Sequence, residues 1–158
     1  MRCQELASRN LLPDLCKAVL EKEAAFRFKA TGFSMWPFIK NGDAITIAPF
    51  QGRPAKLGEV VAFVRLNSKS MVVHRVVAKK KEGYLIKGDN VKDPDGLVSP
   101  HQILGVVTKV EREHKPIYIG LGPEKVLIGF LSKVGLLRPV ITAAVRMKRF
   151  CSWIARAL

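Results

Sequence analysis

Five short β-branched runs, at residues 44–48, 60–66, 71–78, 84–87 and 103–110, constrain this chain more than any other feature. They are separated by Gly, Pro, Asn and Asp and lie in a stretch from Arg27 to about Ile119. Apolar runs this short, punctuated this often, are strands rather than helices. The middle of the chain is therefore expected to be a β domain, and the fold class mainly β. Val60-Val61-Ala62-Phe63-Val64 is apolar at every position, as a central strand covered on both faces must be. Asn41-Gly42 between Phe38-Ile39 and Ala44-Ile45-Thr46-Ile47 predicts a hairpin, because both turn residues tolerate positive φ.

The flanks have a different texture. Residues 3–26 place Leu6, Leu11, Leu12, Leu15, Val19 and Leu20 at helical spacing among charges, with Pro13-Asp14 as a break or second start, so one or two amphipathic helices are expected. After Pro139, residues Val140, Ala144, Met147, Cys151, Ile154 and Leu158 recur in steps of four and three, with Arg146, Arg149 and Arg156 on the opposite side. This is the pattern of a basic amphipathic helix, able to lie on an anionic membrane surface or to pack on the domain with a solvated basic face. In window 126–145, eleven Val, Leu, Ile or Phe residues contribute roughly −0.3 to −0.6 kcal/mol each, against roughly +2.5 to +3.5 each for Lys133 and Arg138. The terms nearly cancel, and no uncharged apolar run is long enough for an ordinary transmembrane helix. The expected division is a helical segment at 1–26, a β domain at 27–120 and a basic helical tail at 121–158.

At 158 residues the chain is about one domain long, and its 48% hydrophobic content excludes a disordered polyelectrolyte. The formal charge of +14 favours anionic partners. Cys3, Cys16 and Cys151 are an odd number with no C-x-x-C pair, so neither a disulfide framework nor a zinc cage is indicated, and no cofactor or metal is expected. With Arg2, Glu5, Arg9 and Asp14 interrupting the amino-terminal stretch, a secretory signal is not expected and the predicted location is cytoplasmic, or peripheral on a membrane.

Three segments hold side chains with chemical potential. Ser34 sits among bulky apolar residues in Gly32-Phe33-Ser34-Met35-Trp36-Pro37, where Gly32 and Pro37 restrain the backbone. Taken alone, it reads as a turn serine. His74, in Val72-Val73-His74-Arg75-Val76, shares a strand face with two valines, so its imidazole is shielded; His101 and His114 lie in polar loops. Asp89, Asp93 and Asp95 occupy a turn-rich loop whose spacing is not that of an EF-hand and which Lys87 and Lys92 crowd with positive charge. Serine, histidine and carboxylate together are the parts that generate and stabilise an alkoxide nucleophile.

The ordered patterns G-x-S-M-x-P-x-I-x-x-G-D, V-x-H-R-V, K-G-D-N, then D-P and G-V-V, resemble the signal peptidase I superfamily, which includes LexA-type self-cleaving repressors. The resemblance covers roughly residues 27–111. It looks closest to the Ser-His branch typified by the catalytic subunit of the endoplasmic-reticulum and archaeal signal peptidases, because His74 stands where the other branches carry a lysine. It implies Ser34 as nucleophile and His74 as general base, with the backbone N–H groups of Ser34 and Met35 facing an oxyanion. Asp89 matches the K-G-D-N aspartate, while Asp93 and Asp95 compete for the aspartate that orients the histidine, Asp93 being favoured. Gly32-Phe33 replaces the small serine-glycine pair common before the nucleophile. Losing one oxyanion donor typically costs about 100- to 1000-fold in rate, consistent with a slow or substrate-restricted enzyme.

The resemblance thus implies a serine endopeptidase that forms an acyl-enzyme and cuts extended peptides after small residues. The other expectation is a catalytically weak or inactive peptide-binding module of the same fold, docked on a membrane through its basic tail. The expected partners are a polypeptide substrate and an anionic membrane surface; the basic residues are dispersed, and no specific nucleic acid is expected.

Overall fold

The five β-branched runs become strands of one antiparallel sheet. The computed structural model describes residues 2–157, and side chains from residue 11 to 147. The side chains of Cys3, Leu6, Arg149, Cys151, Ile154, Arg156 and Leu158 lie outside the described residues. Chain order is α1 (Arg2–Leu20), β1 (Phe26–Lys29), β2 (Ala44–Ala48), β3 (Val60–Arg65), β4 (Ser70–Lys80), β5 (Gly83–Lys87), β6 (Leu97–Val98), a short 3-10 turn (Pro100–Gln102), β7 (Ile103–Arg112), β8 (Lys115–Ile117), α2 (Lys125–Lys133) and α3 (Leu137–Ala157). The strands lie in the order β1-β2-β7-β3-β4-β5-β6, with β8 paired to β7. The fold is mainly β, as the punctuation of the sequence requires.

β3 lies inside the sheet between β4 and β7. Its period-two alternation sends Val60 and Ala62 into one core, with Cys16, Leu20, Ile45 and Ile47, and Val61 and Phe63 into a second, with Val76, Tyr84 and Ile86. That explains why every position of this run is apolar. In β4 the register slips between Val76 and Ala78 opposite β5, a bulge that accounts for Val76, Val77 and Ala78 being buried in succession.

Several local expectations change. Of the one or two amino-terminal helices expected, the chain makes one, and the break expected at Pro13-Asp14 does not occur: α1 runs through Pro13. Leu12, Cys16, Val19 and Leu20 share a face against the first core, and that packing outweighs the roughly 3 kcal/mol that an interior proline costs. Asn41-Gly42 does not join two strands, because Phe38-Ile39 lie in turns rather than in a strand. The hairpin is instead β1–β2, closed by Ala30 N–H to Asp43 O at 2.8 Å and Gly42 N–H to Ala30 O at 2.8 Å, with the serine segment as its long excursion. Gly42 has φ +88°, so the turn chemistry was rightly placed even though its partner strand was not. At the other end, the helical tail breaks at Gly135 (φ +77°), and α3 starts at Leu137. Pro139 falls in the first turn of α3, where its missing N–H has no helical acceptor to lose.

Candidate active site

The β1–β2 excursion is held from both sides. Met35 and Ile39 are buried in the first core, and Ile39 N–H donates to Met35 O at 3.0 Å. Gly32 takes φ +91° and donates its N–H to Asn41 Oδ1 at 3.0 Å. The Asp43 carboxylate accepts from Lys40 N–H at 2.7 Å and from Arg112 Nε and Nη2 at 2.9 and 2.7 Å. With Met35 anchored and Phe33 exposed, Ser34 sits half-buried at the boundary between core and solvent.

β4 brings His74 to this boundary. It pairs with Val61 of β3 and is 4% exposed, as the shielding expected from its valine flanks requires. Nε2 lies 2.9 Å from Ser34 Oγ. The opposite ring nitrogen, Nδ1, lies 2.5 Å from Asp95 Oδ2, and Asp95 Oδ1 accepts from Arg65 Nη2 at the end of β3. Burial pushes the Asp95 carboxyl up, but the hydrogen bond and charge of His74, then those of Arg65, outweigh it and hold the group below the usual carboxylate range. An ionised carboxylate only accepts, so Nδ1 carries the proton and Nε2 turns its lone pair toward the serine hydroxyl.

The structure separates the three aspartates. Asp95 faces the imidazole. Asp93, the favoured candidate, is exposed and makes no bond to His74; this expectation is corrected. Two-residue spacing could not distinguish them, because Pro94 and the turns around it decide which carboxylate points inward. Asp95 N–H is drawn back onto Ile86 O at 2.9 Å, which returns residue 95 to the sheet beside β4. Asp89 is fully buried but not at the imidazole: its two oxygens accept from Arg75 Nε and Nη2 at 2.8 and 2.7 Å. Arg75 also donates to Gly58 O and Gly120 O, both at 2.8 Å, and its guanidinium stands 5.5 Å from the Phe38 ring centroid. This pair ties β4, the 88–90 turn and the serine excursion together.

Sequence reasoning gave no role to Gly88 or Asn90, although both lie in the K-G-D-N pattern. Asn90 N–H donates to Ser34 O at 2.7 Å and its Nδ2 to Phe33 O at 3.2 Å, fixing the backbone on both sides of the serine peptide. A Cβ on Gly88 would stand 2.8 Å from Ser34 O and 2.9 Å from His74 Nε2, so only glycine allows the turn to pass this close. Arg65 carried no signal at all; its role depends on where β3 ends. Among the described residues, the amides of Ser34 and Met35 donate to no protein acceptor, whereas Trp36 N–H is taken by Phe33 O at 3.2 Å.

Ser34, His74 and Asp95 line a cleft of about 360 Å³ whose apolar wall includes Phe28, Met35 and Met71. Among the described residues, β1 pairs only with β2, and residues 70–74 of β4 pair only with β3, so strand edges from both elements border the cleft. Such an arrangement can deprotonate a hydroxyl beside a bound extended chain.

A family model described as Peptidase S24-like matches residues 4–108, about two thirds of the chain, including Ser34, His74 and the 89–95 loop. No curated protein matches the chain.

Proposed function

This chain belongs to the Peptidase S24-like family, within the superfamily of LexA and signal peptidase I-like proteins, and from that premise we propose that it is a serine endopeptidase with Ser34 as nucleophile, His74 as general base and Asp95 as the group that orients the base. The observation that carries this reading is the relay of 2.9 Å from Ser34 Oγ to His74 Nε2 and 2.5 Å from His74 Nδ1 to Asp95. His74 takes the hydroxyl proton as Oγ attacks a peptide carbonyl. The imidazolium then gives that proton to the departing amine, and water, activated by the same nitrogen, hydrolyses the ester. Asp95 remains an anion throughout and stabilises the positive ring. The free amides of Ser34 and Met35 are the candidate donors to the oxyanion, with no side-chain hydroxyl at Gly32-Phe33 to assist.

The finer reading is a signal peptidase I-like enzyme of the Ser-His kind. What supports it is a histidine, not a lysine, at the base position, together with a cleft whose strand edges suit an extended substrate. The preference for small side chains before the cut comes from the resemblance. The test is incubation with a serine-directed acylating probe and mass mapping, alongside an Ala-containing peptide as substrate. Label is expected on Ser34, lost in Ser34→Ala and His74→Ala; equal labelling and cleavage in all three proteins would end the proposal.

A further inference from the structure

After Glu124 the chain carries seven Lys or Arg residues and no Asp or Glu, half of the net +14 in its last fifth. α2 is seated firmly. Ile128, Gly129 and Ser132 are buried, a Cβ on Gly129 would stand 3.1 Å from Gly58 Cα, and buried Lys87 donates through Nζ to Ser132 O at 2.9 Å. That seating turns the other face outward, with Val126, Leu127 and Phe130 exposed by 48, 59 and 55%. Val134, Leu136 and Val140 continue the apolar surface past Gly135. Leu137 seats the start of α3, but from Arg138 to Met147 every residue except Ile141 is exposed, so this stretch of the helix is not covered by the domain.

No single helix among the described residues is long and apolar enough to cross a membrane, but α2 with Leu137–Met147 reaches that hydropathy as a pair bent by 115°. Nine residues of α2 extend about 14 Å, half of a hydrocarbon core of about 30 Å, so a bent pair lies in the interface rather than crossing it. We propose that α2 and the start of α3 form an in-plane anchor on an anionic lipid bilayer. The apolar side chains enter the acyl boundary while Lys133, Arg138 and Arg146 meet the headgroups. Charge selects this occupant. A second copy of the chain would set one segment of seven basic residues without a carboxylate against another, with Asp93 beside Lys133 as a neighbouring acid, whereas anionic headgroups complement that charge. Because α2 packs on β4, the anchor also fixes the cleft relative to the bilayer surface.

The test is flotation of the full chain with phosphatidylcholine vesicles, with and without phosphatidylglycerol. Binding to the anionic vesicles alone is expected, weakened by salt. Each basic residue near the surface strengthens partitioning by about fivefold, so Lys133→Glu with Arg138→Glu lowers it about 25-fold or more. Leu127→Glu with Phe130→Glu, made separately, gives a similar loss through the apolar face, both pairs keeping the parent's thermal melt and Ser34 labelling. Ser34→Ala floats like the parent, which separates failure here from failure of the peptidase reading. Absence of flotation, equal binding to both vesicle types, or a concentration-dependent dimer broken by the same substitutions would each overturn the anchor.

Discussion

At the scale of single residues, the site depends on which carboxylate meets His74. Asp95→Asn replaces the anionic acceptor at Nδ1 with an uncharged amide whose NH2 can donate there and favour the wrong tautomer, and is expected to slow acylation of Ser34 by about 100- to 10,000-fold, by analogy with other serine triads. Asp93→Asn, at an exposed position, leaves the rate within about twofold of the parent. The labelling rate with the acylating probe measures both, and the reverse ranking would return the orienting role to Asp93. Gly88→Ala forces either Ser34 O or the imidazole to move, so labelling falls sharply while the far-ultraviolet spectrum stays that of the parent. An unchanged labelling rate would show that the turn has room to spare. The sequence made Ser34 and His74 conspicuous because each stands among apolar neighbours. Asp95, Asn90 and Arg65 stood out in no such way, since a polar residue in a polar loop looks the same whether it faces solvent or a neighbour.

At the scale of elements, the buried Arg75–Asp89 pair joins β4 to the 88–90 turn. Removing one partner leaves an uncompensated buried charge, so Asp89→Leu is expected to cost about 3–5 kcal/mol in chemical denaturation. Arg75→Leu with Asp89→Leu costs less than the two single changes added together, because neither charge is then stranded. Strict additivity would mean that the two groups act independently. The strands themselves were readable from β-branched runs, since a central strand such as β3 must be apolar on both faces. The serine excursion was not: Phe38-Ile39 has strand composition, yet Met35 and Ile39 are drawn into the core one helical turn apart. Local propensity cannot anticipate that competition.

At the scale of the whole molecule, three buried carboxylates make stability depend on pH in one direction. Burial raises Asp43, Glu59 and Asp95. Bonds and charge from Arg112 for Asp43, from Arg53 and Lys56 N–H for Glu59, and from His74 and Arg65 for Asp95 outweigh burial and depress all three. A depressed folded value contributes stability that is complete above the unfolded value and lost as pH falls through the folded one. The urea midpoint is therefore expected to be level near neutrality and to fall below about pH 4. A midpoint that held steady down to about pH 3 would show that these pairs contribute nothing. By itself the sequence determined the β class, the central strand and the helical flanks, because periodicity and composition are local and are written along the chain, and it offered Ser34 and His74 as candidates. Tertiary structure alone decided that the two meet across forty positions, that Asp95 rather than Asp93 completes the relay, and that α2 turns an apolar face outward. Each of these depends on the direction a side chain takes once strands distant in sequence have paired, and pairing is a property of the folded whole.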